Sequence, residues 1–366
     1  MAPRLKLVWP ALLALAAGAA FAGVRLARAG GDVEALAEIG TRFSEGDPSG
    51  SEGYDGQFVL YVAKDLDPAT VAPHLDRPAY RYQRILFPLL ARLAVFGDPD
   101  RAAWALLALG LIAHFLGTFA VASILEQHDR PVGYAVTYGL WVGLVVGVGV
   151  FLHEPLAFAL VAMGWALRLR GRPVAGSLLL GLALFAKETT LAFWLAALLE
   201  DALRGKERRS SAVAIVAGGA LFLMWQLWLW RTFGEPGLGS GGAQGTPFEW
   251  IPFAGLARVG SVDGRVLALY LVIFGPMILL PVVWGLVTGV RSLLARLSDG
   301  DGWALLLNSG LIAFLPFSSF REPLALVRLA SGLVLVTLLF AAGRGHRRVL
   351  NYSLFWCALL ALLASG

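Results

Sequence analysis

The sequence predicts an all-α, polytopic integral membrane protein that forms a single domain over residues 1–366. Hydrophobic residues make up 58% of the chain, its mean hydropathy is +0.70, and only 15% of its residues are charged. A soluble core cannot bury that much apolar surface, whereas a bilayer solvates it. The 43 glycines fit the same class, since glycine lets transmembrane helices approach closely.

Apolar runs predict about eleven membrane-crossing helices, because one crossing needs about 20 apolar residues. We expect the N-terminus in the cytoplasm and the C-terminus outside it. The first run also fits a cleaved signal peptide, but the multispan body that follows favours an uncleaved anchor. The predicted helices are 7–24, 104–125, 133–151, 155–168, 174–186, 189–200, 211–231, 265–290, 303–317, 324–343 and 349–364.

The segments 174–186 and 189–200 are each too short to cross a bilayer alone. Basic sequences flank the pair on both sides, so together the two segments go out and back or form a re-entrant pair. Either arrangement puts Lys187 and Glu188 at the tip. Non-helical backbone at that position implies a protected or water-filled cavity.

The loops alternate between basic ones and ones that carry other polar residues. By the positive-inside rule, the loops rich in Arg and Lys face the cytoplasm. The stretches GYDGQ, FLHEP, AKETT and SFREP then share the opposite face, which predicts an active site outside the cytoplasm. The net charge of +5 reflects anchoring loops more than nucleic-acid binding, since no basic patch is interleaved with aromatic residues.

Two long outer loops are predicted, at 25–103 and 232–264. The first contains GYDGQFVLYVAKDL and RPAYRYQRILFPLLARLAVFG, both amphipathic at helical spacing. We expect amphipathic juxtamembrane helices there, which would bring a reaction site close to the lipid headgroups. Plain packing against the membrane helices is the alternative.

These features resemble the type C glycosyltransferase superfamily, whose members have a long first outer loop with an acidic residue shortly after the first span. More narrowly, GYDGQ, YRYQR, HEP, KE and REP-x4-R look like a bacterial membrane family of cell-surface glycopolymer or mannosyltransferase-like proteins. The resemblance covers most of the chain. It implies a multi-pass protein of the bacterial cytoplasmic membrane that transfers a sugar, with inversion, from a polyprenyl-phosphate donor to a glycan or glycolipid acceptor outside the cytoplasm.

The matching pieces of sequence also supply the candidate site. Sugar transfer from a lipid phosphate needs a carboxylate to accept the acceptor's proton and cations to stabilise the departing phosphate. The candidate substrate-binding residues are Tyr54, Gln57, Arg81, Tyr82, Arg84, His153, Glu154, Lys187, Glu188, Arg321, Glu322 and Arg328.

Asp55 is the candidate catalytic base. Gly53 and Gly56 flank its stretch and let backbone and substrate approach, while Tyr54 and Gln57 are placed to hydrogen-bond sugar hydroxyls. A turn aspartate in a glycine-rich loop is the alternative interpretation.

Glu154 and Glu188 compete for the base role. Glu154 and Glu322 both precede proline at the start of an apolar run, and a Glu-Pro pair is also an ordinary helix start. In that interpretation the two Glu-Pro pairs are structural corners, whose neighbours His153 and Arg321 still face the cavity.

Arg328 lies several residues inside an apolar run, where an unpaired guanidinium costs at least about 2.5 kcal/mol. It shares nearly the same helix face with Arg321. Snorkelling toward the interface is one explanation. We favour an anionic partner, with Arg84, Lys187 and Arg321 as companions around the donor phosphate.

No metal or cofactor is predicted. The Asp-x-Asp triplets that begin at Asp65 and Asp98 lack the further oxygen ligands that a metal site needs. Phosphate-binding-loop, dinucleotide-binding and hydrolase motifs are absent from the sequence. Cys357 is the single cysteine, which excludes an intrachain disulfide.

Two other functions remain compatible with the sequence. A surface-polysaccharide polymerase or ligase would share the lipid-phosphate donor and the outer site, and would differ in transferring a preassembled glycan. A lipid-linked sugar transporter or flippase should show internal repeats and polar residues along a full path. The sequence shows no internal repeat, and most of its reactive-looking residues fall in the outer loops and not along a path through the membrane.

Overall fold

The predicted all-α class is confirmed by the computed structural model, which describes residues 3–239, 242 and 245–365. The structure is 79% helical, and the described residues contain no β-strand. Four residues of the predicted second outer loop, numbers 240, 241, 243 and 244, lie outside the described part.

A long first helix leads into a series of short helices that occupy the predicted loop 25–103. The last of these is amphipathic, since it buries Phe87 and Ala91 and leaves Leu93 61% exposed. These elements are α1 (Pro3–Arg28), α2 (Thr41–Ser44), α3 (Asp55–Lys64), α4 (Pro68–Val71), α5 (Pro78–Tyr82) and α6 (Leu86–Ala94).

The rest of the chain forms the main helical body, and every predicted apolar segment falls on helical structure. The helices are α7 (Ala102–Gln127), α8 (Ala135–Gly139), α9 (Val142–Gly149), α10 (Glu154–Leu169), α11 (Pro173–Ala186), α12 (Leu191–Arg204), α13 (Arg209–Phe233), α14 (Ala254–Val262), α15 (Gly264–Phe274), α16 (Leu280–Ala295), α17 (Gly300–Ala313), α18 (Phe317–Arg321), α19 (Pro323–Leu329), α20 (Ser331–Arg344) and α21 (Arg347–Ser353).

Five helical segments in the described residues are long and apolar enough to cross a bilayer. They are Lys6–Arg28, Pro99–Gln127, Glu188–Phe233, Gly264–Ala295 and Pro323–Arg344. The pair α8 and α9, bent by 54°, would make a sixth. These helices are compatible with a helical membrane protein, but the predicted count of about eleven crossings is not confirmed.

Several predicted helices are interrupted or shorter in the structure, and two of them also change helix type. The segment 265–290 is interrupted by a π-helical turn at Gly275–Leu279, where Pro276 lacks the N–H group that a continuous α-helix would use. The last segment, 349–364, is α-helical only to Ser353 and continues as a 3-10 helix over Leu354–Ser365.

Irregular backbone interrupts the helical body where the sequence carries charged residues. Helix α11 ends at Ala186 and α12 begins at Leu191; Lys187 lies in the break between them, and Glu188 is the first residue of a 3-10 turn, Glu188–Thr190. In the HEP stretch, His153 precedes α10 and Glu154 is its first residue, and in the REP stretch only Glu322 lies between α18 and α19. All three breaks border the same cavity.

Close helix packing uses small residues at the crossing points. Helix α10 packs against α7 and α11, and α11 packs in turn against α13. At the α11–α13 crossing, a Cβ atom added to Gly181 would lie 3.0 Å from the Cα of Gly218. Larger side chains there would push the two helices apart.

Arg168, at the end of α10, ties four helices together. Its guanidinium donates to Asp201 of α12 at 2.6 and 3.0 Å, to Ser177 of α11 at 2.9 Å and to Ser211 of α13 at 3.0 Å. The side chains of Arg168 and Asp201 are 4% and 0% exposed. Removing one partner of such a pair leaves an uncompensated buried charge.

We therefore expect Arg168→Ala to lower the free energy of unfolding by about 3–5 kcal/mol. Arg101→Ala is the matched control, because the Arg101 side chain is 75% exposed in its ion pair with Asp98. That variant should change stability by about 0.5 kcal/mol or less. Thermal unfolding of both purified proteins in the same detergent tests this, and equal unfolding temperatures would contradict it.

Candidate active site

A polar cavity of about 460 Å³ opens between the segment that precedes α3, the region of α5, and α19. Most of the residues predicted for the site line it. They are Tyr54, Asp55, Gln57, Arg81, Arg84, Glu154, Lys187, Arg321, Glu322 and Arg328. Three predicted residues, Tyr82, His153 and Glu188, are not part of this lining.

Asp55 is the first residue of α3 and points into the cavity with 29% of its side chain exposed. Gly53 has a φ of +67° and packs so tightly that a Cβ atom would lie 2.5 Å from the carbonyl oxygen of Glu38. A Cβ atom on Gly56 would lie 2.2 Å from the carbonyl oxygen of Val150. The two glycines therefore allow other parts of the protein's own backbone to approach closely, as predicted.

Two arginines hold the Asp55 carboxylate, one on each oxygen. Arg81 Nη1 lies 2.8 Å from Oδ1, and Arg328 Nη1 lies 2.8 Å from Oδ2. Burial alone would raise the pKa of Asp55, but the two guanidinium groups outweigh burial and hold the pKa well below its ordinary value. The carboxylate is therefore ionised throughout the neutral range.

Arg81 is fixed mainly by a residue that the sequence analysis missed. Its Nε and Nη2 atoms donate to the two carboxylate oxygens of Asp76 at 2.7 and 2.9 Å, a two-pronged geometry that fixes the guanidinium plane. The guanidinium also lies 4.2 Å from the centre of the Phe58 ring. Only the short separation of Asp76 and Arg81 along the chain could have indicated this pair.

Arg328 joins the helical body to the N-terminal loop. Its Nε donates to Glu154 Oε1 at 2.8 Å, and its Nη1 donates to the Tyr54 hydroxyl at 2.8 Å as well as to Asp55. The Tyr54 hydroxyl in turn donates to Glu322 at 3.2 Å. The predicted anionic partner of Arg328 is therefore a set of the protein's own carboxylates.

Glu154 and Lys187 form the most deeply buried ion pair of the site. Lys187 Nζ lies 3.0 Å from Glu154 Oε1, and their side chains are 2% and 0% exposed. The same oxygen accepts from Arg328, while Oε2 has no hydrogen-bond partner among the described residues. One carboxylate thus compensates two cations.

Arg84 pairs with Glu188 through two hydrogen bonds, from Nε at 2.7 Å and from Nη2 at 2.5 Å. Arg84 also donates to the Tyr80 hydroxyl and lies 4.3 Å from the centre of the Tyr80 ring. Burial would lower the pKa of Arg84, but Glu188 outweighs burial and raises it. Glu188 therefore binds an arginine beside the cavity.

The remaining predicted residues have other surroundings. The Gln57 side chain bonds backbone groups at both ends of its amide, accepting from Gly40 N and donating to Glu52 O. Tyr82 is buried and donates to the Leu66 carbonyl, and His153 packs edge-on against Phe87. The Gln57 amide and the Tyr82 hydroxyl therefore bond backbone groups of the N-terminal loop, which makes them poor candidates for contact with a sugar.

Within the described residues, no group of three or more His, Cys, Asp or Glu side chains is arranged to hold a metal ion. Each of the cations Arg81, Arg84, Lys187 and Arg328 has a carboxylate partner instead. The site is an array of ion pairs in which Asp55 is a partly exposed carboxylate that borders the cavity.

Comparison with known proteins returns no relative: no protein family, curated protein or solved structure matches this chain.

Glu154→Gln should destabilise the protein, because it removes the buried carboxylate that pairs with Lys187 and leaves Arg328 with Asp55 alone. The expected loss is about 3–5 kcal/mol in the free energy of unfolding. Asp55→Asn is the matched amide variant and should cost much less, since both of its arginine partners keep a second carboxylate. Chemical denaturation in detergent measures both. A larger loss for Asp55→Asn than for Glu154→Gln would contradict this division of roles.

Proposed function

We propose that this protein is a glycosyltransferase of the bacterial cytoplasmic membrane. It moves a sugar, with inversion, from a polyprenyl-phosphate donor to a glycan or glycolipid acceptor on the extracytoplasmic side. The observation that carries the proposal is that the polar cavity adjoins an apolar groove, and that Tyr54 lines both.

The groove has a volume of about 1010 Å³ and lies between α1, α9, α19 and the C-terminal 3-10 helix. Its walls are mainly apolar, with side chains such as Phe21, Val146 and Leu363. Helix α19 separates the two spaces, because Arg328 lines the cavity while Val327 lines the groove. An anionic headgroup with a long hydrocarbon tail fits this pair of spaces.

The chemistry assigned to the cavity is a direct displacement at the sugar's anomeric carbon. Asp55 accepts the proton of the acceptor hydroxyl as that oxygen bonds to the carbon. The bond from the carbon to the phosphate oxygen breaks, and its electron pair leaves on the phosphate. Arg81, Arg84 and Arg328 are placed to stabilise that negative charge.

Asp55 is preferred over the two competing carboxylates because of its surroundings. Glu154 is fully buried beneath two cations, so it has no access to an acceptor. Glu188 is 20% exposed and pairs with Arg84, but it is not part of the cavity lining. Asp55 is the most exposed of the three and faces the cavity directly.

The proposed topology has about eleven crossings, with the N-terminus in the cytoplasm and the cavity outside it. Helix α10 begins at Glu154, which lines the cavity, and ends beside the basic stretch of Arg168 and Arg170, as this topology requires.

Cysteine labelling tests this topology on a Cys357→Ser background. Ser49 and Ser210 are both exposed; Ser49 lies in the predicted outer loop, and Ser210 is the second residue of α13, beside the basic stretch that ends at Arg209. A cysteine at position 49 should react with an impermeant thiol reagent in intact cells without an outer permeability barrier, whereas a cysteine at position 210 should react only after lysis. The reverse pattern would place the cavity in the cytoplasm.

The activity test uses purified protein in detergent with a polyprenyl-phosphate sugar and no added divalent metal. Transfer should occur from that donor and not from a nucleotide sugar alone. Asp55→Asn should reduce turnover by at least about 10²-fold, as expected for loss of a general base. Asp100→Asn, at an exposed aspartate outside the cavity lining, is the control and should keep normal turnover.

Efficient transfer from a nucleotide sugar, with no lipid intermediate present, would refute the proposed donor. The size of the product separates transfer of one sugar from transfer of a preassembled glycan, which a polymerase or ligase would catalyse.

A further inference from the structure

The two arginines that hold Asp55 are each anchored by a second carboxylate. Arg81 makes two hydrogen bonds to Asp76 and reaches Asp55 with Nη1. Arg328 bonds Glu154 through Nε and also reaches Asp55 with Nη1. The guanidinium groups would therefore keep their positions if Asp55 moved away.

The three carboxylates differ strongly in exposure. Asp76 and Glu154 are 7% and 0% exposed, whereas Asp55 is 29% exposed and borders the cavity. A buried anion is costly to unpair, while a partly exposed one exchanges partners for water at little cost. Asp55 is therefore the exchangeable member of the network, and Asp76 and Glu154 are the fixed members.

We infer that Asp55 occupies the anion position of this site before the donor binds, and that the donor phosphate displaces it from Arg81 and Arg328. This inference rests on the proposed function. Phosphate oxygens accept the same charge-assisted hydrogen bonds from Nη1 atoms that the carboxylate oxygens accept. The displaced carboxylate stays in the cavity, where the acceptor hydroxyl would lie.

Displacement makes Asp55 a stronger base at the moment when a base is needed. With both oxygens held by arginines the carboxylate has a pKa well below its ordinary value and accepts protons poorly. When the phosphate shares those cations, the pKa rises. The charged and titratable groups that face Asp55 and influence its pKa are Arg81, Arg84, Arg328, Tyr54 and Tyr80.

A second consequence is an order of events. Water or acceptor that enters the cavity before the donor meets a weak base, so its hydroxyl keeps its proton. The donor phosphate strengthens the base only after the sugar is in place. Because donor binding raises the basicity of Asp55, transfer is favoured to a hydroxyl that is present together with the donor.

The binding test measures the Kd of farnesyl phosphate for the full-length protein in detergent, with farnesol as the neutral control. Asp55→Asn removes the competing anion and should tighten farnesyl phosphate binding by about tenfold, the value of one charge-assisted hydrogen bond. Asp76→Asn removes an anchor of Arg81 and should weaken binding by about tenfold. Neither variant should change farnesol binding.

These outcomes separate the inference from the proposed function. If farnesyl phosphate binds the wild-type protein but Asp55→Asn weakens binding or leaves it unchanged, the displacement is refuted and the proposed donor stands. If Asp76→Asn tightens binding as Asp55→Asn does, the distinction between fixed and exchangeable carboxylates is refuted. If farnesyl phosphate binds none of the proteins better than farnesol, the proposed donor is wrong and the displacement falls with it.

The pH dependence of turnover gives an independent readout. Turnover needs ionised Asp55, so it falls as the pH drops through the pKa of that carboxyl. The acidic limb of kcat/KM reports the free protein, and the limb of kcat reports the donor complex. If the donor displaces Asp55 from its arginines, the acidic limb of the kcat profile should lie about 1 pH unit or more above the acidic limb of the kcat/KM profile. Coincident limbs would refute it.

Discussion

The interaction on which the rest of this structure depends is the pairing of Glu154 with Lys187 and Arg328. One carboxylate oxygen accepts from both cations, and all three side chains are almost fully buried. Two cations and one anion leave an excess positive charge, which is costly in a poorly hydrated interior. Asp55 compensates it by pairing with Arg328, and this contact docks the N-terminal loop on the helical body.

The ion network explains why the helices are interrupted where they are. A charged group in the middle of an apolar helix would face other helices or lipid, whereas a helix end presents it to a cavity. Pro155 follows the first residue of α10 and Pro323 opens α19, so each proline lies where its missing N–H is tolerated. Each Glu-Pro pair is therefore a structural corner that also holds a carboxylate at the cavity.

The sequence was sufficient for the all-α class, and most of the candidate residues it singled out line the cavity, because apolar runs and charged interruptions are local features. The break at Lys187 and Glu188 is an example, since basic flanks and short segments allowed few arrangements. The pairing of charges was not predictable in the same way. Asp76 lies in a loop with no distinguishing pattern, and only the fold brings its carboxylate against Arg81. Tyr82 shares a short helix with Arg81 yet turns inward toward Phe233, because neighbouring helical positions face different directions.

The distribution of charge along α10 bears on whether the cavity serves chemistry or transport. Its first residue, Glu154, borders the cavity, and Arg168 near its other end lies in the separate buried cluster with Asp201. Between them α10 buries Ala157, Phe158 and Val161 in the main hydrophobic core. A transporter needs polar groups or open space along a continuous path, with a site near the middle that both sides can reach. Along this helix the two polar clusters are separated by closely packed apolar side chains, so the arrangement favours a reaction confined to one end of the helical body over passage through it.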